Sequence, residues 1–224
     1  MIRLSRRSLL AGAAAALVPV VSIAAWADGG AAPGPSAPSP GNLDAVLAEI
    51  ARARSSLKTL TGPFIQERTI GLLKSKIRSA GTLTLVRPDR MRWELAPPDE
   101  ITYWVTAESV AYAGRSGHGS VRSGATKLAA ALDDLRTLLG GDLTLLTKRY
   151  ELSLIKRDAQ EVAFEAVPRA DAGVKLERLA FALAPDLVRP LRATLVEGPK
   201  DKTEITFGTL ARDVPVDPAK MVPP

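Results

Sequence analysis

From Leu60 onward, apolar residues recur at every second position, run after run, in two long series. Residues 58–70, 76–86, 89–96, 100–106 and 108–115 make up the first series, and 149–155, 161–168, 175–184, 191–197 and 202–210 the second. A period of two sends alternate side chains to opposite faces of an extended chain, so each run has one face to bury. Within a series the connections are short and carry Gly, Pro or charged pairs. A parallel pair needs a long crossover, usually a helix, so these strands pair with antiparallel neighbours. About ten of them make a meander that curls into a barrel or half-barrel.

Two stretches keep a helical period instead. Leu43, Val46, Leu47, Ile50 and Leu57 follow Asn42, a suitable N-cap. TKLAAALDDLRTLLGG, residues 126–141, sets Leu128, Ala131, Leu132, Leu135, Leu138 and Leu139 on one side and ends at Gly140-Gly141. Their apolar stripes need a surface to cover, and a strongly curved sheet offers its concave side. The expected class is therefore mainly β with α: a curved antiparallel sheet with a helical lid.

The stretch RPDRMRWELAPPDE, residues 87–100, shows the alternation at its clearest. Met91, Trp93 and Leu95 share one face, and Arg90, Arg92 and Glu94 the other. Pro88 and Pro97-Pro98 border the strand, because proline cannot donate to a ladder. The charged face reads as a solvated outer surface with ion pairs of little energy. Phe64 and Gln66 similarly share one face of the first strand, with Phe64 expected inside.

The front of the chain has a different character. Arg3, Arg6 and Arg7 precede a mildly apolar stretch, and Ala25-Trp26-Ala27 is an A-x-A cleavage pattern before Asp28. Residues 1–27 are read as a cleaved signal peptide; the Ser5-Arg6-Arg7-Ser8-Leu9-Leu10 string resembles a twin-arginine export signal. Residues 28–41 are a Gly/Pro/Ser/Ala linker with too little apolar surface to fold. Residues 42–224 remain, a length suited to one domain with one core. The signal removes three cations and no anions, so the formal charge falls from +6 to +3. That balance, with ten aromatics and no Lys/Arg run longer than two, argues against a nucleic-acid partner.

Catalysis has little to work with. The chain holds one histidine, His118, in a glycine-rich stretch, and no cysteine. Neither zinc ligation by several His or Cys nor a G-x-S-x-G nucleophile elbow is available. Carboxylates such as Glu94, Asp99 and Glu100 are read as surface strand charges rather than an acid/base pair. No enzyme, no metal and no cofactor is expected.

Phe64-x-Gln66, then Gly81-x-Leu83, then Arg87-Pro88, Trp93 and Pro98-Asp99-Glu100 are similar in order and spacing to the LolA family, periplasmic carriers of outer-membrane lipoproteins. The closing Val216-Asp217-Pro218-Ala219-Lys220-Met221 resembles the family's tail. The match is good over 43–112, fair over 176–224 and poor over 113–150. It implies an incomplete antiparallel barrel of about eleven strands whose concave face is covered by helices. It also implies a monomeric carrier that takes acylated lipoproteins from an inner-membrane ABC transporter and hands them to an outer-membrane receptor. In the family the Arg of the Arg-Pro pair, here Arg87, bonds to the lid helices and latches the empty cavity. Met91 and Trp93 match interior-lining positions, and Phe64, Leu83 and Leu95 share their expected face.

The physics calls for such a carrier. Each buried methylene is worth about 0.8 kcal/mol, so a multiply acylated anchor does not leave a bilayer unaided at a useful rate. Three features depart from the family: the twin-arginine signal, the proline-rich linker, and the polar hairpin GRSGHGSVRSG at 114–124. They leave open another lipid as cargo, or a lipoprotein sensor. The related receptor family is itself acylated at a cysteine, which this chain lacks.

Overall fold

A computed structural model of the chain describes residues 40–71, 75–174 and 176–224. The expected signal peptide, and the expected linker up to residue 39, lie outside the described residues. Helix α1 spans Pro40–Arg54, so it begins ahead of Asn42 and ends before Leu57. Six strands follow: β1 (Thr59–Ile70), β2 (Ser75–Val86), β3 (Arg90–Leu95), β4 (Ile101–Val105), β5 (Ser109–Gly114) and β6 (Gly117–Arg122). Helix α2 (Lys127–Gly140) and the single turn α3 (Thr144–Thr147) separate them from the second series. That series is β7 (Tyr150–Arg157), β8 (Val162–Pro168), β9 (Arg178–Leu183), β10 (Pro190–Gly198), β11 (Asp201–Phe207) and β12 (Ala211–Arg212). A 3₁₀ turn at Pro218–Met221 closes the chain.

The twelve strands form one antiparallel sheet in the order β6-β5-β4-β3-β2-β1-β11-β10-β9-β8-β7, with β12 pairing the start of β1. Two meanders are thus joined where the first and last long strands meet, Phe64 opposite Phe207 and Gln66 opposite Ile205. The sheet does not close. β6 and β7 are neighbours in sequence but stand at opposite ends of the strand order, so the chain between them must cross the sheet's face. It crosses as helix, which satisfies its backbone internally over an apolar surface. A helical cover over the concave side is therefore a consequence of the topology. No described helix is long and apolar enough to cross a membrane.

The strand count exceeds the expected ten by β6 and β12. β6 is an edge strand whose residues are mostly exposed, so it has no buried face to impose apolar alternation. It is nevertheless the second strand of the hairpin at 114–124, Gly114 pairing Gly117. β12 is two exposed residues long.

The inward faces of both meanders and the buried faces of α1 and α2 make one core. α2 lies against β2, β4 and β5, and α1 against β7. At its C-terminal end α2 comes so close to the sheet that a Cβ on Gly140 would overlap the Leu85 side chain. A side chain at Gly140 would therefore have to displace Leu85. The residue after it, Gly141, is extended at φ −79°.

Candidate functional site

On the concave side of β1 to β3 the side chains stack tightly. Phe64 and Trp93 lie face to face with ring centroids 3.7 Å apart, and Phe207 stands edge-on to Trp93 at 6.2 Å. Such pairs add a little to what their area burial supplies. In the ladder Trp93 stands opposite Leu83, Met91 opposite Leu85, and Leu95 opposite Gly81. Gly81 also faces Phe64, and a Cβ there would overlap the Phe64 ring. The spacing of Phe64 and Gly81-x-Leu83 thus has a packing reason: glycine makes the seat for the ring. Phe64, Leu83, Met91 and Trp93 are buried, and Leu95 is half-buried at the margin of the same cluster, which includes Leu135, Leu138 and Leu139 of α2.

The open space lies elsewhere. A cavity of ≈ 360 Å³ sits between the first half of α2 and the ends of β1, β10 and β11. Leu132, Leu135, Leu195 and Ile205 supply apolar wall, and Gln66, Arg68, Lys127 and Glu197 polar wall. Arg68 and Glu197 pair across it at 3.7 Å. Leu128 borders the same space and is 50% exposed. None of Phe64, Leu83, Met91, Trp93 and Leu95 borders this cavity. They fill the interior beside it. Gln66, from the first motif, does border it.

Arg87 leaves the end of β2 toward the helices. Its Nη1 donates to the main-chain carbonyl of Arg54, the last residue of α1, and its backbone N–H donates to Lys58 O at 2.9 Å. Arg54 carries the contact onward. Its Nη1 donates to Leu138 O of α2 at 2.8 Å, and its Nε to Leu187 O in the β9–β10 turn at 3.3 Å. Arg54 is 1% exposed, and its Nη2 is buried without a partner among the described residues. Leu187 has φ +60°, the left-handed region that a branched side chain rarely occupies. Burial, and then the nearby Arg87 guanidinium, pull the Arg54 pKa down to about 10, while Asp186 opposes them.

A second buried charge pins α2 to the edge strand β7. Asp134 is 1% exposed, accepts from Tyr150 Oη at 2.5 Å and pairs with Arg149. Burial pushes the Tyr150 hydroxyl up to about 12, so it stays a donor throughout the neutral range.

Sequence reasoning singled out Arg87 and passed over Arg54 and Asp134. Both had a signal. Arg54 continues the stripe of Leu43, Val46, Leu47 and Ile50, and Asp134 interrupts the apolar face of α2 between Leu132 and Leu135. A charge on a helix's buried face is retained only where something satisfies it.

His118 lies exposed on the edge strand β6. Among the described residues, no group of three or more His, Asp or Glu is placed to hold a metal. The arrangement is one of apolar enclosure with a few directional bonds holding its cover.

Residues 55–221 match the family described as "Outer membrane lipoprotein carrier protein LolA". An outer-membrane lipoprotein carrier protein of Alkalilimnicola ehrlichii is 27% identical over 183 residues, covering 79% of this chain and 78% of that one. Two solved structures resemble it more distantly. A LolA superfamily protein of Nitrosomonas europaea has 10% identity, covers 77% of this chain and 94% of its own, and gives a TM-score of 0.41. The lipoprotein LppX of Mycobacterium tuberculosis has 16% identity, covers 80% and 99%, and gives 0.44.

Proposed function

The chain belongs to the LolA family, and from that premise we propose that it carries acylated lipoproteins across the periplasm, as a monomer and without catalysis. It takes them from an inner-membrane ABC transporter and delivers them to an outer-membrane receptor. The observation that carries this reading is the concave apolar face covered by helices that few hydrogen bonds hold down. The ≈ 360 Å³ cavity has room for about a dozen methylenes if each takes about the 30 Å³ of a liquid water. A multiply acylated anchor needs more. In this reading the helices lift, and Met91, Trp93, Phe64, Leu83 and Leu95 become the wall along which the chains lie. Methionine suits such a wall, being flexible and polarizable. Arg87 is the latch: it favours the closed empty state, lowers apparent affinity for cargo, and so permits handover.

The test is transfer in two separate steps. Inner-membrane vesicles bearing a labelled lipoprotein should release it into a soluble complex with this protein, and receptor-bearing vesicles should then take it up. Arg87→Leu should accept cargo at least as well as the wild type and deliver it poorly; Arg87→Lys, which keeps one donor for the Arg54 carbonyl on a differently shaped side chain, should recover only part of the delivery. Normal delivery by the Leu variant would reduce Arg87 to a strand-end charge. Mass spectrometry of the protein isolated from its native compartment should find acylated protein. Free lipid alone would move the assignment to another cargo.

A further inference from the structure

Arg54 is the least expected residue in the interior, and the carrier reading does not use it. It is a fully buried cation whose guanidinium donates to two main-chain carbonyls and, among the described residues, to no carboxylate, although Asp186 is close enough to act on it. Its three contacts reach three separate bodies. Its carbonyl accepts from Arg87 at the end of β2, its Nη1 holds Leu138 near the end of α2, and its Nε holds the β9–β10 turn at Leu187. This one side chain ties the end of the first helix to the second. One of its nitrogens has no partner among the described residues, and a second guanidinium stands nearby.

Each of these features lowers the cost of opening without cancelling the two carbonyl bonds by which Arg54 holds the lid closed. A guanidinium carried into water recovers hydration at every donor, including the orphaned Nη2. The positive φ of Leu187 adds a locally strained acceptor, which persists only while its surroundings impose it. The planar fork explains why arginine is the residue here: two carbonyls on different elements are reached from one rigid group.

We propose that Arg54 is the positioning residue that couples the two lid helices, so that α1 and the C-terminal end of α2 open together, with Arg87 acting through it. The inference rests on the reading of the helices as a lid over a lipid-binding interior, and it adds the joint through which the latch works. Arg87 alone reaches only α1; without Arg54 its hold stops there.

The natural chain has no cysteine, so a single introduced thiol reports opening without background. Val110→Cys in the full chain places it on the buried face of β5, against which α2 packs. Its labelling rate by a soluble disulfide reagent, at rising urea, separates a local opening from global unfolding by the urea slope. In this background Arg54→Met should raise the labelling rate without urea about fivefold or more, with a shallow slope. The global unfolding midpoint should move little, because a long apolar side chain replaces a desolvated charge. Arg54→Lys should also raise the rate, since one ammonium cannot hold both carbonyls.

Wild-type labelling in Arg54→Met overturns the proposal, as does a rise that appears only in step with a lowered unfolding midpoint. Should Arg54→Met fail to fold, Arg54→Lys decides alone: fast, shallow labelling supports the joint, and wild-type labelling overturns it. A fluorescent sixteen-carbon fatty acid tests the underlying reading separately. If it binds the wild type while Arg54 variants label normally, the joint fails and the carrier reading stands. If it binds no form while labelling still follows Arg54, the joint stands and the carrier reading fails.

Discussion

The two halves of α2 meet the sheet in opposite ways. The first half begins at an N-cap, Thr126 accepting from Ala129 N at 3.1 Å, and runs beside open space with Leu128 half in water. The second half is fastened from several sides. Asp134 holds it to β7, Arg54 holds Leu138, Gly140 lies against Leu85, and Leu138 and Leu139 are fully buried. A helix with one end beside a cavity and the other held by three elements is kept shut by its fastened end, whose bonds must break before the whole helix lifts. The difference teaches where a cover can move: where apolar contact is incomplete and directional bonds are few, local opening is cheapest.

The largest effect should come from the fastened half. Removing Asp134 leaves the buried Tyr150 hydroxyl without its acceptor and the part-exposed Arg149 without its partner, so Asp134→Ala should destabilise the fold by about 2 kcal/mol. Urea unfolding measures this. A change of under about 0.5 kcal/mol, the range of ordinary surface substitutions, would show that the two halves are equally loose.

Next comes the coupling of the two arginines. Arg87 grips the carbonyl of the residue whose side chain grips α2, so the two act in series. Arg54→Met combined with Arg87→Leu should open the lid less than the product of the single effects, as thiol labelling at Val110→Cys would report. Neighbours in one network show such non-additivity, whereas independent sites multiply. A full product would place the two on separate closures.

The contrast also shows which parts of this molecule a sequence can announce. Met91 and Trp93 were legible as inward-facing because their strand buries both, while on its other face Arg90 is exposed and Arg92 and Glu94 are part-covered, and a one-residue slip would invert both. β6 lacks that asymmetry, and Gly117–Arg122 read only as a polar hairpin. Gly81 and Phe64 were visible as a spacing, but the reason, a ring seated on a glycine, needed the β1–β2 register. The cavity was hidden for a different cause. Gln66 and Ile205 face each other across a pairing between the first long strand and the last, and neither strand's pattern names its partner. Arg54 sits in the last turn of a helix, where cations suit the dipole and a basic residue is ordinary. What set it apart was its place at the end of the Leu43–Ile50 stripe, which points it inward.

At the free end of α2 the expected change is in binding, with little in stability. Leu128 is half-exposed at the cavity's border, so Leu128→Gln should change unfolding by less than about 0.5 kcal/mol. It should still weaken uptake of a fluorescent fatty acid by about fivefold, because a chain entering there loses apolar contact with this side chain. Equal loss of stability and binding would mean that Leu128 belongs to the packed core after all.

The smallest effect concerns the exposed ties of α1. Arg157 of β7 pairs with Glu49 of α1 at 2.6 Å, and the hydrogen bond from Arg157 holds the Glu49 carboxyl below its ordinary value. Close by, Lys156 holds Asp158 down to about 2, and Arg192 holds Glu161 down to about 2. A carboxylate whose folded pKa is depressed contributes in full above its unfolded value and loses that contribution as pH falls through the folded one. Glu49 should thus help keep α1 down throughout the neutral range and let go below the usual carboxylate range of about 4. Thiol labelling at Val110→Cys, read by a reagent that works in acid, should be flat from neutral pH to about 5 and rise below it. Glu49→Gln should label slightly faster at neutral pH and rise less in acid. The pair is exposed, so about 1 M salt should shrink the difference between the two proteins. A difference that survives salt would mean that Glu49 acts through burial and packing rather than as an exposed tie.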